Sequence, residues 1–142
     1  MIKNKKLFVH FGGSYAGPAP NEFLNYDSSP TLIFERIPLI GKLYKKNKEF
    51  FPSNVMYGDI VKGLPLEENS IEGIYCSHVL EHLALNELKK SLRNIYKLLK
   101  KEGIFRAVLP DMKSHSIKYS KNEITSIEFL KATGLGTLNR NK

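Results

Sequence analysis

The sequence predicts an α/β fold built on a mainly parallel sheet of about five strands. Three observations carry this. Short apolar runs closed by Gly, Pro, Asp or Ser recur along the first 110 or so residues, as buried strands of a parallel sheet do. A long amphipathic segment stands between the last two runs, and strands alternating with helical segments build βαβ units. The chain has 142 residues, 42% of them hydrophobic and 25% charged, which is the composition of one globular domain able to bury its own core.

Leu7–Phe11 is apolar and ends in Gly12-Gly13, a buried strand followed by a tight turn. Ser14–Asn21 is turn chemistry throughout and reads as loop. Phe23–Tyr26 is a second strand, closed by Asp27-Ser28-Ser29-Pro30. Thr31–Tyr44 is helix-like in parts, but Pro38 and Gly41 rule out one continuous helix. Val55–Ile60 is the third strand, Leu64–Ser70 a loop and Ile71–Cys76 the fourth strand.

Leu85, Leu88, Leu92, Ile95, Tyr96 and Leu99 then recur at helical spacing, with Lys89, Lys90, Arg93, Asn94, Lys97 and Lys100 opposite. Glu87 near its start and Lys97, Lys100 and Lys101 near its end suit the helix dipole. Gly103 stands where a helix-terminating glycine belongs. Ile104–Leu109 is the fifth strand, stopped by Pro110-Asp111, and Ile124–Ala132 is a last helix before a polar tail.

The remaining composition narrows the class of protein. A single cysteine, Cys76, excludes a disulfide framework and a cysteine-rich zinc site. No stretch approaches the roughly 20 apolar residues of a membrane span. The N-terminal apolar run is cut short by His10 and Gly12-Gly13, too early for a secretory signal. A cytoplasmic protein is expected. The net charge of +8 raises nucleic acid as a partner. Eighteen of the 22 basic residues are lysines scattered over the chain, whereas base and phosphate recognition leans on arginine, so the charge reads better as a solvated surface.

Ligands of open parallel sheets bind beyond the carboxyl ends of the strands, near the point where strand order reverses. Three segments follow strands directly. Gly12-Gly13-Ser14 is either an ordinary turn or a loop whose backbone N–H groups approach a ligand; Pro18 and Pro20 spoil a regular G-x-G-x-x-G pattern. Asp27 is placed either to accept hydrogen bonds from ribose hydroxyls or to cap the following helix with Ser28 and Ser29. Cys76-Ser77-His78 closes the fourth strand. Asp59, after the third, is either a turn carboxylate or the acceptor of an adenine amino group.

Ser77-His78-Val79-Leu80-Glu81-His82-Leu83, preceded by Gly63-Leu64-Pro65-Leu66 and followed by Glu102-Gly103-Ile104-Phe105-Arg106 and Val108-Leu109-Pro110-Asp111, resembles the class I S-adenosylmethionine-dependent methyltransferases. The likeness is strongest to the "SHVLEHL" group of polysaccharide and glycan biosynthesis clusters, and it covers about residues 5–112. It implies a Rossmann-like sheet in a single methyltransferase-like domain over 1–142, with core 5–112 and a C-terminal helix and tail over 113–142. It implies S-adenosyl-L-methionine as cofactor and a small molecule or glycan as methyl acceptor. Gly12, Gly13 and Ser14 would lie under the methionine part, Asp27 at the ribose and Asp59 by the adenine. Cys76, Ser77 and His78 would line the cofactor and acceptor side. If the acceptor is a hydroxyl, His78 or His82 could take its proton, while Glu81 would hold neighbouring loops or helix ends.

The sequence departs from the family pattern in four places. Ser14 replaces the third glycine of the first loop. Glu72-Gly73 stands for the usual Asp before the fourth strand, and Glu102-Gly103 for Pro-Gly before the fifth. Only about 30 residues follow Pro110, with no signal for the family's closing hairpin. Ile104–Leu109 would then be an exposed apolar edge that invites pairing with another chain. The competing reading is a truncated, non-catalytic binding or partner module. A nucleic-acid methyltransferase fits less well, because Cys76-Ser77-His78-Val79 stands where amino-directed base methyltransferases carry Asn/Asp-Pro-Pro-Tyr/Phe.

Overall fold

The computed structural model describes residues 7–12, 22–38, 41 and 50–134. The chain forms two compact units, Met1–Ala107 and Val108–Lys142. The first holds β1 (Phe8–Phe11), β2 (Phe23–Asp27), α1 (Pro30–Glu35), β3 (Val55–Tyr57), β4 (Ile71–Ser77), a 3-10 turn at Leu80–His82, α2 (Leu85–Leu98) and nearly all of β5 (Leu99–Val108). The second holds α3 (Met112–Ser120) and α4 (Ser126–Thr133).

The five strands form one sheet in the order β3-β2-β1-β4-β5. β1 runs parallel to both neighbours, with Phe8 opposite Phe23 on one side and Gly73 on the other. β2 pairs in parallel with β3, Asn25 opposite Val55. This is the strand order of a doubly wound, Rossmann-like sheet, and its direction of winding reverses between β1 and β4.

Alternation along β1 explains the layering. Val9 and Phe11 are buried in one cluster with Tyr26, Ile60, Ile71, Ile74 and Cys76, and α2 closes this cluster with Ile95 and Leu98. Phe8 and His10 belong to an aromatic group on the same sheet. Phe8 lies 5.4 Å from Phe23, His10 lies 5.2 Å from Tyr75, and the Arg106 guanidinium sits over the Tyr75 ring at 5.8 Å. His10 is buried but satisfied, its Nδ1 being 3.2 Å from Asn25 Oδ1. A second, smaller cluster of Leu32, Phe51 and Val55 seats α1 against β3.

α2 forms as the 3.6-residue spacing requires. The Glu87 carboxylate reaches back to accept the Ala84 N–H at 3.0 Å, satisfying one of the helix's free amides. Buried Ser91 donates its hydroxyl to Glu87 O at 2.9 Å. Asn94 donates to the carbonyls of Ile60 and Val61 at 2.8 and 3.1 Å, so α2 also holds the loop that follows β3.

Two expectations are corrected. Gly103 does not end the helix: α2 stops at Leu98, its cap Leu99 is already extended, and β5 begins there. The left-handed turn falls one residue earlier, on Glu102 (φ 68). The segment after Pro110 carries two helices rather than one. α3 escaped notice because it buries none of its residues and so shows no apolar period; it is started instead by Asp111, whose carboxylate accepts the Ser114 N–H at 3.1 Å. As expected, Thr31–Tyr44 is helical only in parts: α1 is begun by Pro30 at the first helical position, and Gly41 is in 3-10 conformation, its N–H donating to Ile37 O at 2.9 Å. β5 stands at the edge of the sheet with Ile104 70% exposed.

Candidate functional site

The candidate site sits where the sheet reverses direction, at the carboxyl ends of β1, β2 and β4. Gly12, just after β1, has φ +88. A Cβ there would lie 2.3 Å from Val79 Cγ2 and 2.4 Å from Ser77 O. Only glycine tolerates both the conformation and the approach. The end of β1 is thus pressed against the exit of β4, the location where doubly wound sheets hold ligands.

Backbone bonds tie the strand ends together. The Gly12 N–H donates to Tyr26 O at 3.3 Å and the Gly58 N–H to Asp27 O at 3.0 Å. Asp27 is 9% exposed. Its Oδ1 accepts the Ser29 N–H at 2.7 Å, forming the turn that leads into α1. Burial pushes its carboxyl above the usual carboxylate range, and the Ser29 amide opposes that rise. Asp27 therefore serves as a turn former, and its burial marks a carboxylate kept at the strand end despite desolvation.

Asp59 sits in the loop after β3 and is occupied locally. Its Oδ1 accepts the Val61 N–H at 2.9 Å and its Oδ2 lies 3.5 Å from Lys62 Nζ. Gly63 N–H closes the loop onto Asp59 O at 2.9 Å. Cys76 faces the other way from the strand exit. It is 1% exposed in the cluster with Val9, Phe11 and Leu80, and burial with the charge of Glu81 pushes its thiol up to about 12. The expectation that it lines the pocket is corrected: strand alternation sends it into the core with Ile74, leaving the next residue, Ser77, at the strand exit. Gly13 and Ser14 lie outside the described residues.

His78 leaves β4 in the left-handed conformation, φ 52. A non-glycine residue held there costs on the order of 1 kcal/mol or more, and such strain gathers at functional sites. Its exposed ring is anchored at one end, with Nδ1 3.1 Å from Glu81 Oε1. The other oxygen, Glu81 Oε2, is buried with no hydrogen-bond partner. His82 is exposed on the 3-10 turn, its backbone N–H donating to Val79 O at 3.1 Å. The His78–Glu81 pair was missed in the sequence, where the three-residue spacing across a tight turn was its only signal.

An apolar cleft of about 390 Å³ opens on the aromatic face, lined by Phe8, Phe23, Gly73, Tyr75, Ile104 and Arg106. It includes the first residues of β1 and β2, at the opposite ends of those strands from Gly12 and Asp27. Among the described residues no cluster of His, Cys, Asp or Glu could hold a metal ion, and no helix is long and apolar enough to cross a membrane.

Comparison with known protein families matches residues 15–107 to a methyltransferase domain. The chain belongs to that methyltransferase family. The match spans the segment that carries Asp27, Asp59, Ser77 and His78, and begins just after the glycine turn. No curated protein matches the chain. Among solved structures, similarity is found to the putative methyltransferase in the complex with the Haloferax volcanii Trm112 methyltransferase activator, at 17% identity over 92% of this chain and 60% of that one, TM-score 0.47. The trans-methyltransferase CalH, solved in complex with SAH, matches at 20% identity over 92% of this chain and 39% of that one, TM-score 0.46. The chain thus spans less than two thirds of the length of either.

Proposed function

We propose that this methyltransferase domain binds S-adenosyl-L-methionine across the carboxyl ends of β1, β2 and β4 and directs its methyl group to a hydroxyl of a small-molecule or glycan acceptor. The observation that supports this most is Gly12: its positive φ and missing Cβ let the end of β1 pack directly against Val79 and the Ser77 carbonyl, joining the exits of β1 and β4 at the reversal point of the sheet. That junction of strand ends is where doubly wound sheets hold their ligands. In this reading Asp27, at the end of the adjacent strand, takes the ribose hydroxyls, and the loop of Asp59, braced by Asn94, takes the adenine edge.

The cofactor supplies an activated methyl sulfonium. What remains for the chain is to position the acceptor, exclude water and remove one proton. With cofactor and acceptor bound, His78 would take the acceptor's hydroxyl proton on Nε2, the nitrogen not turned to Glu81. His82, with its ring on the 3-10 turn, is the alternative base. The lone buried Cys76 suits a reducing, cytoplasmic setting. The second reading, a non-catalytic binding module, is favoured by Ser14, which stands where the family's first loop has its third glycine.

Calorimetric titration of the chain with S-adenosylhomocysteine and S-adenosylmethionine tests the reading. Saturable binding that is weakened in Asp27→Ala is expected. Absence of binding by the folded chain refutes it.

A further inference from the structure

We infer that Glu81 is the positioning residue of the proton acceptor: it fixes the proton of neutral His78 on Nδ1 and so leaves the Nε2 lone pair facing the acceptor. This deepens the functional reading above and rests on it for the role of His78, but the geometry of the pair stands alone.

Three independent features converge on Glu81. Its Oε1 lies 3.1 Å from His78 Nδ1. A carboxylate only accepts, so a neutral imidazole beside it must present Nδ1–H and keep Nε2 unprotonated. The Glu81 side chain is 15% exposed while the His78 ring is 57% exposed; the anchor is inside and the working end is outside. The second oxygen, Oε2, is buried without a donor. The left-handed backbone at His78 (φ 52) completes the arrangement. It turns the chain sharply at the end of β4, so that residues 78 and 81 meet across the turn.

The consequence for transfer is direct. When Nε2 takes the hydroxyl proton, the imidazolium formed remains hydrogen-bonded to Glu81 Oε1, and its charge is countered at the moment it appears. Without Glu81 the ring would be free to rotate and to place its proton on Nε2, where it would meet the acceptor hydroxyl with a donor instead of a lone pair.

The test needs no acceptor. The chain is labelled with 15N-histidine, and long-range 1H–15N spectra assign the tautomer of neutral His78 in wild type, Glu81→Gln and Glu81→Ala. In wild type the Nδ1–H form should exceed the Nε2–H form by roughly fivefold or more, allowing for the partial exposure of the pair. Glu81→Gln keeps an oxygen acceptor and should retain that preference; Glu81→Ala should lose it. Should Glu81→Ala fail to fold, the wild-type assignment alone decides. Nε2–H as the major wild-type form, or an unchanged preference in folded Glu81→Ala, overturns the inference. Titration of wild type with S-adenosylhomocysteine is run alongside. A chain with the Nδ1–H form that binds no cofactor keeps the pair and refutes the methyltransferase reading, whereas binding with the wrong tautomer does the reverse.

Discussion

Replacing Asp27 by Asn separates the two things this residue does. Its Oδ1 accepts the Ser29 N–H at 2.7 Å, a bond the amide oxygen of Asn can keep. What Asn removes is the negative charge at the second oxygen. A hydrogen bond to a charged group contributes about 1.5–3 kcal/mol and a neutral one about 0.5–1.5. Asp27→Asn should therefore weaken S-adenosylhomocysteine by about 1 kcal/mol, roughly fivefold in Kd, and Asp27→Ala by about 1.5–3 kcal/mol, on the order of 10- to 150-fold.

The free protein should respond in the opposite sense. Burial raises the Asp27 carboxyl above its ordinary value near 3.8, so the folded state binds this proton more tightly than the unfolded state. Its contribution is most favourable below about pH 3.8 and is lost as pH rises through the raised folded value. At pH 7 the buried charge is thus a liability, and Asp27→Asn should melt at a higher temperature than wild type. The gain should fade as pH falls below 4. Calorimetric titration gives the first quantity and thermal unfolding against pH the second. Unchanged affinity in folded Asp27→Ala removes Asp27 from the ligand site. Destabilisation of Asp27→Asn at pH 7 refutes the account of its burial.

Gly12→Ala should cost about 3 kcal/mol, because it adds a left-handed penalty to contacts of 2.3 Å with Val79 and 2.4 Å with Ser77; urea unfolding measures it, and a loss below 1 kcal/mol would show that the β1 and β4 ends separate easily. Glu102→Gly should stabilise the chain by about 1 kcal/mol, since Glu102 is exposed and held at φ 68; no gain in the same assay would mean its side chain earns that conformation. β5 at the sheet edge, with Ile104 70% exposed, should drive concentration-dependent association that Ile104→Lys suppresses. Sedimentation of both chains checks this, and a wild type that stays monomeric across the concentration range sinks it.

Much of the sheet was legible because its strands are punctuated: Gly12 after β1, Ser28-Ser29-Pro30 after β2 and Pro110 after β5 mark their ends. α2 was legible through Leu88, Ile95 and their spacing. α3 was not, since a helix that buries nothing carries no period. At the site, placement at strand ends could be read from order along the chain, but not which way a side chain turns there. Cys76 and Ser77 are neighbours at one strand exit, and the two-residue alternation sends Cys76 into the core and Ser77 away from it. Counting from Ile74 would have separated them. The pairing of His78 with Glu81 depends on a left-handed residue in the turn, which a histidine does not announce as a glycine would.

The position of β1 between a near and a far neighbour also bears on how the site is assembled in time. Phe8 opposes Phe23 on one side and Gly73 on the other. Closing the longer of these loops costs about 1.3 kcal/mol more in chain entropy than the shorter, from the logarithmic dependence on length. The β1–β2 ladder can thus zip as a local unit, and β4 docks against a surface already formed. Because β4 carries Ser77 and His78 while β1 and β2 carry Gly12 and Asp27, the two halves of the site arrive on different steps of folding. The seam between them is also the one whose opening would dismantle the site while leaving the local ladder intact.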